Sequence, residues 1–288
     1  MQNTLVDAGW LKANLNRDDV VVLDCSWYLP AMNRDAEAEY AAGHIPGARR
    51  FDFDHDFALP GTDLPHMLPT PAAFETGARA LGIGAGTQVV CYDGAGIFAA
   101  PRAWWMFRVM GHDAVAVLNG GLPAWTEAGG ALETTVPPPA GAGDFTARPV
   151  AARLSDSAAV LAAIGDEATL ILDARGAGRF SGHEPEPRAG LRSGHMPGAA
   201  NLPFDQLLEG GRYRDAAAMR AAFAARGVTG TGTGKRVVAS CGSGVTASVL
   251  ALGAEAAGLG VVSVYDGSWS EWGRESRPDL PVVQDPAP

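Results

Sequence analysis

Cysteine is scarce in this chain: the 288 residues hold three, Cys25, Cys91 and Cys241, with no CxxC pair among them. An odd, widely spaced set argues against a disulfide framework and a zinc site, and it suits a reducing compartment. Basic charge is also short, with 22 Lys and Arg against 32 Asp and Glu and a formal net charge of -10. Nucleic acid is therefore not expected as a partner, because a phosphate backbone needs a basic footprint. Small anions stay open, since they respond to the local field rather than to net charge. No apolar run is long enough to cross a bilayer, and MQNTLVDAGWLKANLN lacks a basic stretch followed by an apolar one. Neither membrane insertion nor a secretion signal is expected, and a cytoplasmic location follows.

What the chain does have is ordinary globular composition, 47% hydrophobic and 19% charged, at a length that suits two domains. Two stretches echo each other. The first runs VVLDCSW, EYAAGHIPGARRFDF, TQVVCYDGAGIFAAPRAWW and VAVLNGGLPAW; the second runs LILDARG, GLRSGHMPGAANLPF, KRVVASCGSGVTASVLAL and VSVYDGSWSEW. Asp24 answers Asp173, His44 answers His195 and Val89 answers Val237, in the same order and at nearly constant spacing. We read a duplication, with one domain over 1–135, a Pro/Gly-rich linker over 136–149 and a second domain over 150–288.

Within each half, short apolar runs alternate with Ala-rich amphipathic stretches. The runs are Val20 to Leu23, Gln88 to Tyr92, Ala114 to Leu118, Thr169 to Leu172, Arg236 to Ala239 and Gly260 to Val264; helices are expected over Ala72 to Leu81 and Ala216 to Arg226. Such alternation indicates an α/β fold in each half, a mainly parallel sheet with helices on both faces. Ligands of such sheets bind beyond the carboxyl ends of strands.

Cys241 sits at one of those ends, in VVASCGSGVT. Gly242 and Gly244 let the backbone curl tightly, so that successive N–H groups can converge on one point. The helix expected from Val245 to about Ala257 adds the positive end of its dipole. A sulfur in that cradle is favoured as the reactive thiolate, and the same donors would hold a persulfide. Cys241 is the expected nucleophile. The alternative is a buried cysteine before a glycine turn. The repeat argues against it, because Asp93 stands at the matching position of the first half. The fold needs no cysteine there, and the first half cannot run the same chemistry. Cys25 and Cys91 lie in or beside apolar runs and read as core thiols. A phosphatase would want an arginine closing the loop, as in C-x5-R, and the sixth residue after Cys241 is Ala247.

The tandem repeat, the HIPGA and HMPGA boxes and CGSGVTA resemble the rhodanese superfamily, and within it the members that use 3-mercaptopyruvate. SWYLP, LPHMLP, APRAWWMFR, GRFSGHEPEPR and YDGSWSEW extend the resemblance from about Ala8 to Trp272. It implies two rhodanese-like domains, the first non-catalytic and the second carrying the cysteine. It implies transfer of sulfur from 3-mercaptopyruvate through a Cys241 persulfide to cyanide or a thiol acceptor, such as thioredoxin or a small thiol, with release of pyruvate. No metal or organic cofactor is implied. Thiosulfate-using members carry CRKGV, with two cations in the loop, whereas Gly242 and Ser243 stand here. By resemblance, Arg179 and Arg188 reach the substrate carboxylate and keto oxygen, and Gly242, Gly244, Val245 and Thr246 complete the substrate site. The alternative for both arginines is surface pairing with Glu184 and Glu186.

The resemblance also implies a relay of Ser243, His66 and Asp54, the last two from the first domain. An oriented imidazole would accept a proton through Ser243, and the aspartate would fix its tautomer. His66 read alone is a loop histidine between prolines. His44 and His195 recur in both halves and read as structural. Trp104, Trp105 and Phe107 read as core on a helix, and Trp27 as a pocket wall. The rival functions are a thiosulfate sulfurtransferase, a phosphatase on the same fold and a non-catalytic sulfur-carrier module.

Overall fold

The computed structural model describes residues 4–138, 141–230 and 235–286. The chain divides into two compact units. One comprises Met1–Gly61, Leu68–Val150 and Gly210–Tyr213; the other comprises Thr62–Met67, Ala151–Glu209 and Arg214–Pro288.

The first unit is built on five strands: β1 (Leu5–Val6), β2 (Val20–Asp24), β3 (Arg49–Arg50), β4 (Gln88–Tyr92) and β5 (Val115–Leu118). The second repeats them as β6 (Leu154–Ser155), β7 (Thr169–Asp173), β8 (Ala200–Asn201), β11 (Arg236–Ser240) and β12 (Ser263–Tyr265). Two further short strands, β9 (Leu208–Glu209) and β10 (Arg212–Tyr213), stand outside both sheets. The orders are β1-β5-β4-β2-β3 and β6-β12-β11-β7-β8, the same topology twice. Every pairing within the two sheets is parallel. The central strands are buried from their third residue on, which is why they read as continuous apolar runs rather than as alternating ones.

Register confirms the duplication residue by residue. Asp24 pairs with Tyr92 at the end of β2 and β4, and Asp173 pairs with Ser240 at the end of β7 and β11. Asp93 and Cys241 are the first residues past the equivalent strands β4 and β11. The first helices match too: Asp7 caps Ala8–Asn14 and Asp156 caps Ser157–Ala163, each side chain accepting an N–H of the first turn.

The histidines of the two HxPGA boxes do the same work in both units. His44 Nδ1 lies 2.8 Å from the Tyr40 carbonyl with the rings stacked at 4.0 Å; His195 Nδ1 lies 2.9 Å from the Phe180 carbonyl with the rings stacked at 3.9 Å. Trp104, Trp105 and Phe107 are wholly buried on the helix Ala100–Val109. Cys25 and Cys91 are wholly buried as well, and burial pushes the Cys25 thiol well above its ordinary range.

Three expectations need correction. The stretch 136–149 is not a bare linker: the Phe145 side chain is buried with Phe74 and His112, and the Gly143, Phe145 and Arg148 amides donate to the carbonyls of Arg79, Ile83 and Met110. The described part of the segment therefore belongs to the first unit, which runs on to Val150 rather than ending at 135. The last strand begins at Ser263, not Gly260, because Gly258 and Gly260 turn the chain at φ 76 and 91. Cys241 lies one residue past its strand, on the loop itself.

Candidate active site

Strand β11 delivers the chain to Cys241, and the twelve-residue helix Val245–Ala256 leaves four residues later. Gly244 makes the junction at φ 81, a conformation that a side chain would strain. The Cys241 side is nearly closed to solvent, at 2% exposure. The loop is held from behind by the helix Ser268–Trp272. The Trp269 N–H donates to the Cys241 carbonyl at 3.0 Å, and the Ser270 N–H and hydroxyl both donate to the Gly242 carbonyl, at 2.9 and 2.8 Å. The Cys241 N–H donates to Ser268 Oγ at 3.2 Å.

With those carbonyls tied back, the amides from Gly242 to Ala247 have no acceptor among the described residues. Six consecutive donors at a helix start make a site for an anion. The first unit shows what such a loop does when it carries its own anion. Asp93 is wholly buried, and its carboxylate accepts the amides of Ala95, Phe98, Ala99 and Ala100 at 2.8 to 3.1 Å. Burial pushes the Asp93 carboxyl upward, and those four amides oppose the shift. The second unit offers a comparable set of donors with a thiol where that carboxylate stands.

Both arginines reach the loop. A methyl group placed on Gly242 would lie 3.2 Å from Arg179 Nη2 and 3.9 Å from Arg188 Nη1. The absent side chain at Gly242 is what admits them. Arg179 also pairs with Glu186 at 2.5 Å, the alternative partner offered for it. Arg188 has no hydrogen-bond or ion-pair partner among the described residues, and neither arginine pairs with Glu184.

Arg188 lines a cleft of about 490 Å³ together with Pro65, Ser270 and Arg274. Pro65 belongs to the segment Thr62–Met67, which Arg274 pins through Asp63 with contacts of 2.7 and 3.0 Å. The expectation that His66 comes from the first domain needs correction: its segment groups with the second unit. His66 is buried, at 3% exposure, with its backbone at φ 59. Ser243 is buried on the cysteine loop. Asp54 is a residue of the first unit, where its Oδ2 accepts the Trp27 indole N–H at 2.9 Å. The second unit thus brings Cys241, Gly242, Gly244, Arg179 and Arg188 to one place, with Ser243, Val245 and Thr246 on the same loop and helix start.

A rhodanese-like domain model matches residues 7–128 and again residues 156–275. The chain belongs to the rhodanese family. Among its rhodanese relatives, human 3-mercaptopyruvate sulfurtransferase is 41% identical over 284 residues, covering 96% of this chain and 93% of that protein. The 3-mercaptopyruvate sulfurtransferase of Escherichia coli K12 is 39% identical, covering 96% of both chains. The thiosulfate sulfurtransferase of Bos taurus is 40% identical over 99% of this chain and 96% of its own length. The crystal structure of SseA from Escherichia coli superposes with a TM-score of 0.83 at 35% identity, over 94% of this chain and all of that one.

Two residues of this rhodanese site escaped sequence reasoning. Ser268 accepts the Cys241 N–H while adopting φ 47, at the position where the first unit has Gly121 at φ 55. A serine in a place that the repeat fills with glycine was the available signal. Arg175 is buried, pairs with Asp173 and Glu186 at 2.7 Å each, and stacks 3.9 Å from the Trp269 ring. It stands where the first repeat has Ser26, and its partners are set by folding rather than by spacing.

Proposed function

We propose that the chain is a 3-mercaptopyruvate sulfurtransferase with Cys241 as its nucleophile. The observation that carries this reading is the thiol at the mouth of an amide loop that, in the sister unit, is occupied by a carboxylate. The Cys241 thiolate attacks the sulfur of 3-mercaptopyruvate. The S–S bond forms as the C–S bond breaks, and pyruvate leaves as its enolate, which takes up the proton given by the substrate thiol. The resulting persulfide is held by the amides of Gly242 to Ala247, and Arg179 and Arg188 hold the substrate carboxylate and keto oxygen. A second thiol, from thioredoxin or a small cellular thiol, or cyanide, then attacks the outer sulfur and restores the thiolate. The first unit carries Asp93 at the position of Cys241 and is non-catalytic. Three free cysteines suit a reducing, cytoplasmic setting.

The test is intact-protein mass after incubation with 3-mercaptopyruvate and, separately, with thiosulfate. A one-sulfur gain from 3-mercaptopyruvate supports the reading, and turnover with cyanide should give parallel double-reciprocal lines. Thiosulfate is the second reading, favoured by the approach of two guanidiniums to Gly242. A gain from thiosulfate alone would establish it.

The Ser243 and His66 part of the relay is the finer part of the proposal. His66→Ala should lower kcat by about 10- to 100-fold with 3-mercaptopyruvate, since an oriented acid-base group is worth roughly that or more. A kcat within twofold of wild type removes His66 from the chemistry.

A further inference from the structure

We infer that Glu186 sets the preference of this site for a singly charged sulfur donor by neutralising Arg179. The inference rests on the proposed roles of Cys241 and Arg179. The Glu186 side chain is 1% exposed, and both of its oxygens are taken. One accepts Arg175 Nη1 at 2.7 Å, and the other accepts Arg179 Nη2 at 2.5 Å. Arg175 is wholly buried and is held in turn by Asp173 at 2.7 Å, by the Gly194 carbonyl at 2.7 Å and by the face of Trp269. The chain of contacts runs from the strand end at Asp173, through Arg175 and Glu186, to the guanidinium beside Gly242.

The charges in that chain cancel. Asp173 and Glu186 are negative, Arg175 and Arg179 positive. One guanidinium against the loop is therefore balanced before any substrate arrives; with the negative charge of the Cys241 thiolate assigned to the loop amides, Arg188, without a partner among the described residues, supplies the positive charge left for the donor. A ketoacid thiol brings one carboxylate charge, which that surplus matches. Thiosulfate brings two negative charges, and its second would be taken into a nearly closed site without a counter-charge, at a desolvation cost. Arg179 still presents N–H donors to a carboxylate or keto oxygen, so positioning survives neutralisation while the field does not. Glu186 is thus a specificity-determining residue that acts through Arg179 and touches no substrate itself.

The test is Glu186→Gln, with kcat/KM measured for 3-mercaptopyruvate and thiosulfate against the same acceptor, cyanide. The amide keeps a hydrogen-bonding oxygen for one arginine and removes the charge. The ratio of thiosulfate to 3-mercaptopyruvate kcat/KM should rise by about tenfold, chiefly through the thiosulfate KM, since one uncompensated charge is worth about that much in a partly screened site. Glu186→Asp, which retains the charge, should leave the ratio within about twofold if it maintains the Arg179 pair. An unchanged ratio in folded Glu186→Gln overturns the inference. If that variant does not fold, the wild type decides: the salt dependence of kcat/KM should correspond to one site charge for each donor, and a dependence matching two charges overturns it. Failure of wild-type protein to take sulfur from either donor would instead remove the proposed function, a separate outcome.

Discussion

Cys241→Ser should lose sulfur transfer from 3-mercaptopyruvate by at least about 10⁴-fold, because removing a covalent nucleophile deletes the intermediate rather than weakening a contact. A serine hydroxyl in the same cradle remains protonated and forms no persulfide, so the one-sulfur gain in mass should vanish together with turnover. The substitution is nearly isosteric. The amides of Gly242 to Ala247 and the bonds from Trp269 and Ser270 that hold the loop do not involve the sulfur. Stability should therefore stay within about 1 kcal/mol of wild type, which denaturant unfolding would measure. Thiocyanate production within tenfold of wild type would exclude Cys241 as the nucleophile.

The second large effect is on stability and lies in the other unit. Asp93→Ala should destabilise the first unit by about 3–5 kcal/mol, since it orphans four inward-facing amides around a wholly buried position. Nothing in the Cys241 chemistry uses Asp93, so kcat per folded molecule should hold at temperatures where the variant remains native. Unfolding followed in guanidinium, alongside the rate at low temperature, separates the two quantities. A stability loss below about 1 kcal/mol would mean that the carboxylate contributes little and that water satisfies those amides instead.

The duplication, the parallel sheets and the central strand ends were legible because they depend on patterns that the chain spells out locally. Buried parallel strands are continuous apolar runs, and a repeat shows its own equivalences. Asp93 opposite Cys241 is one such equivalence. What the pattern hid was whatever depends on long-range partners. The packing of Phe145 against Phe74 turns a Pro/Gly-rich stretch into part of a domain, and composition cannot see it. His66 groups with the second unit, and the Asp63–Arg274 ion pair that ties its segment there joins residues 211 positions apart. Arg179 pairs with Glu186, one of the partners the sequence offers, and only geometry shows that this carboxylate is shared with Arg175. Ser268 in YDGSWSEW shows its left-handed backbone only when set against Gly121 of the first repeat.

The segment Thr62–Met67 has a practical consequence for anyone who wishes to dissect the molecule. It precedes most of the first unit in the chain but is counted with the second. Expressing residues 151–288 as a free fragment, the natural cut after the first unit ends at Val150, would omit His66 and the Asp63 anchor of Arg274. Such a fragment would lack one side of the cleft that Arg188 lines. Splitting the gene at its apparent seam therefore does not isolate a complete second half, and a fragment that fails to work would say nothing about whether Cys241 is sufficient.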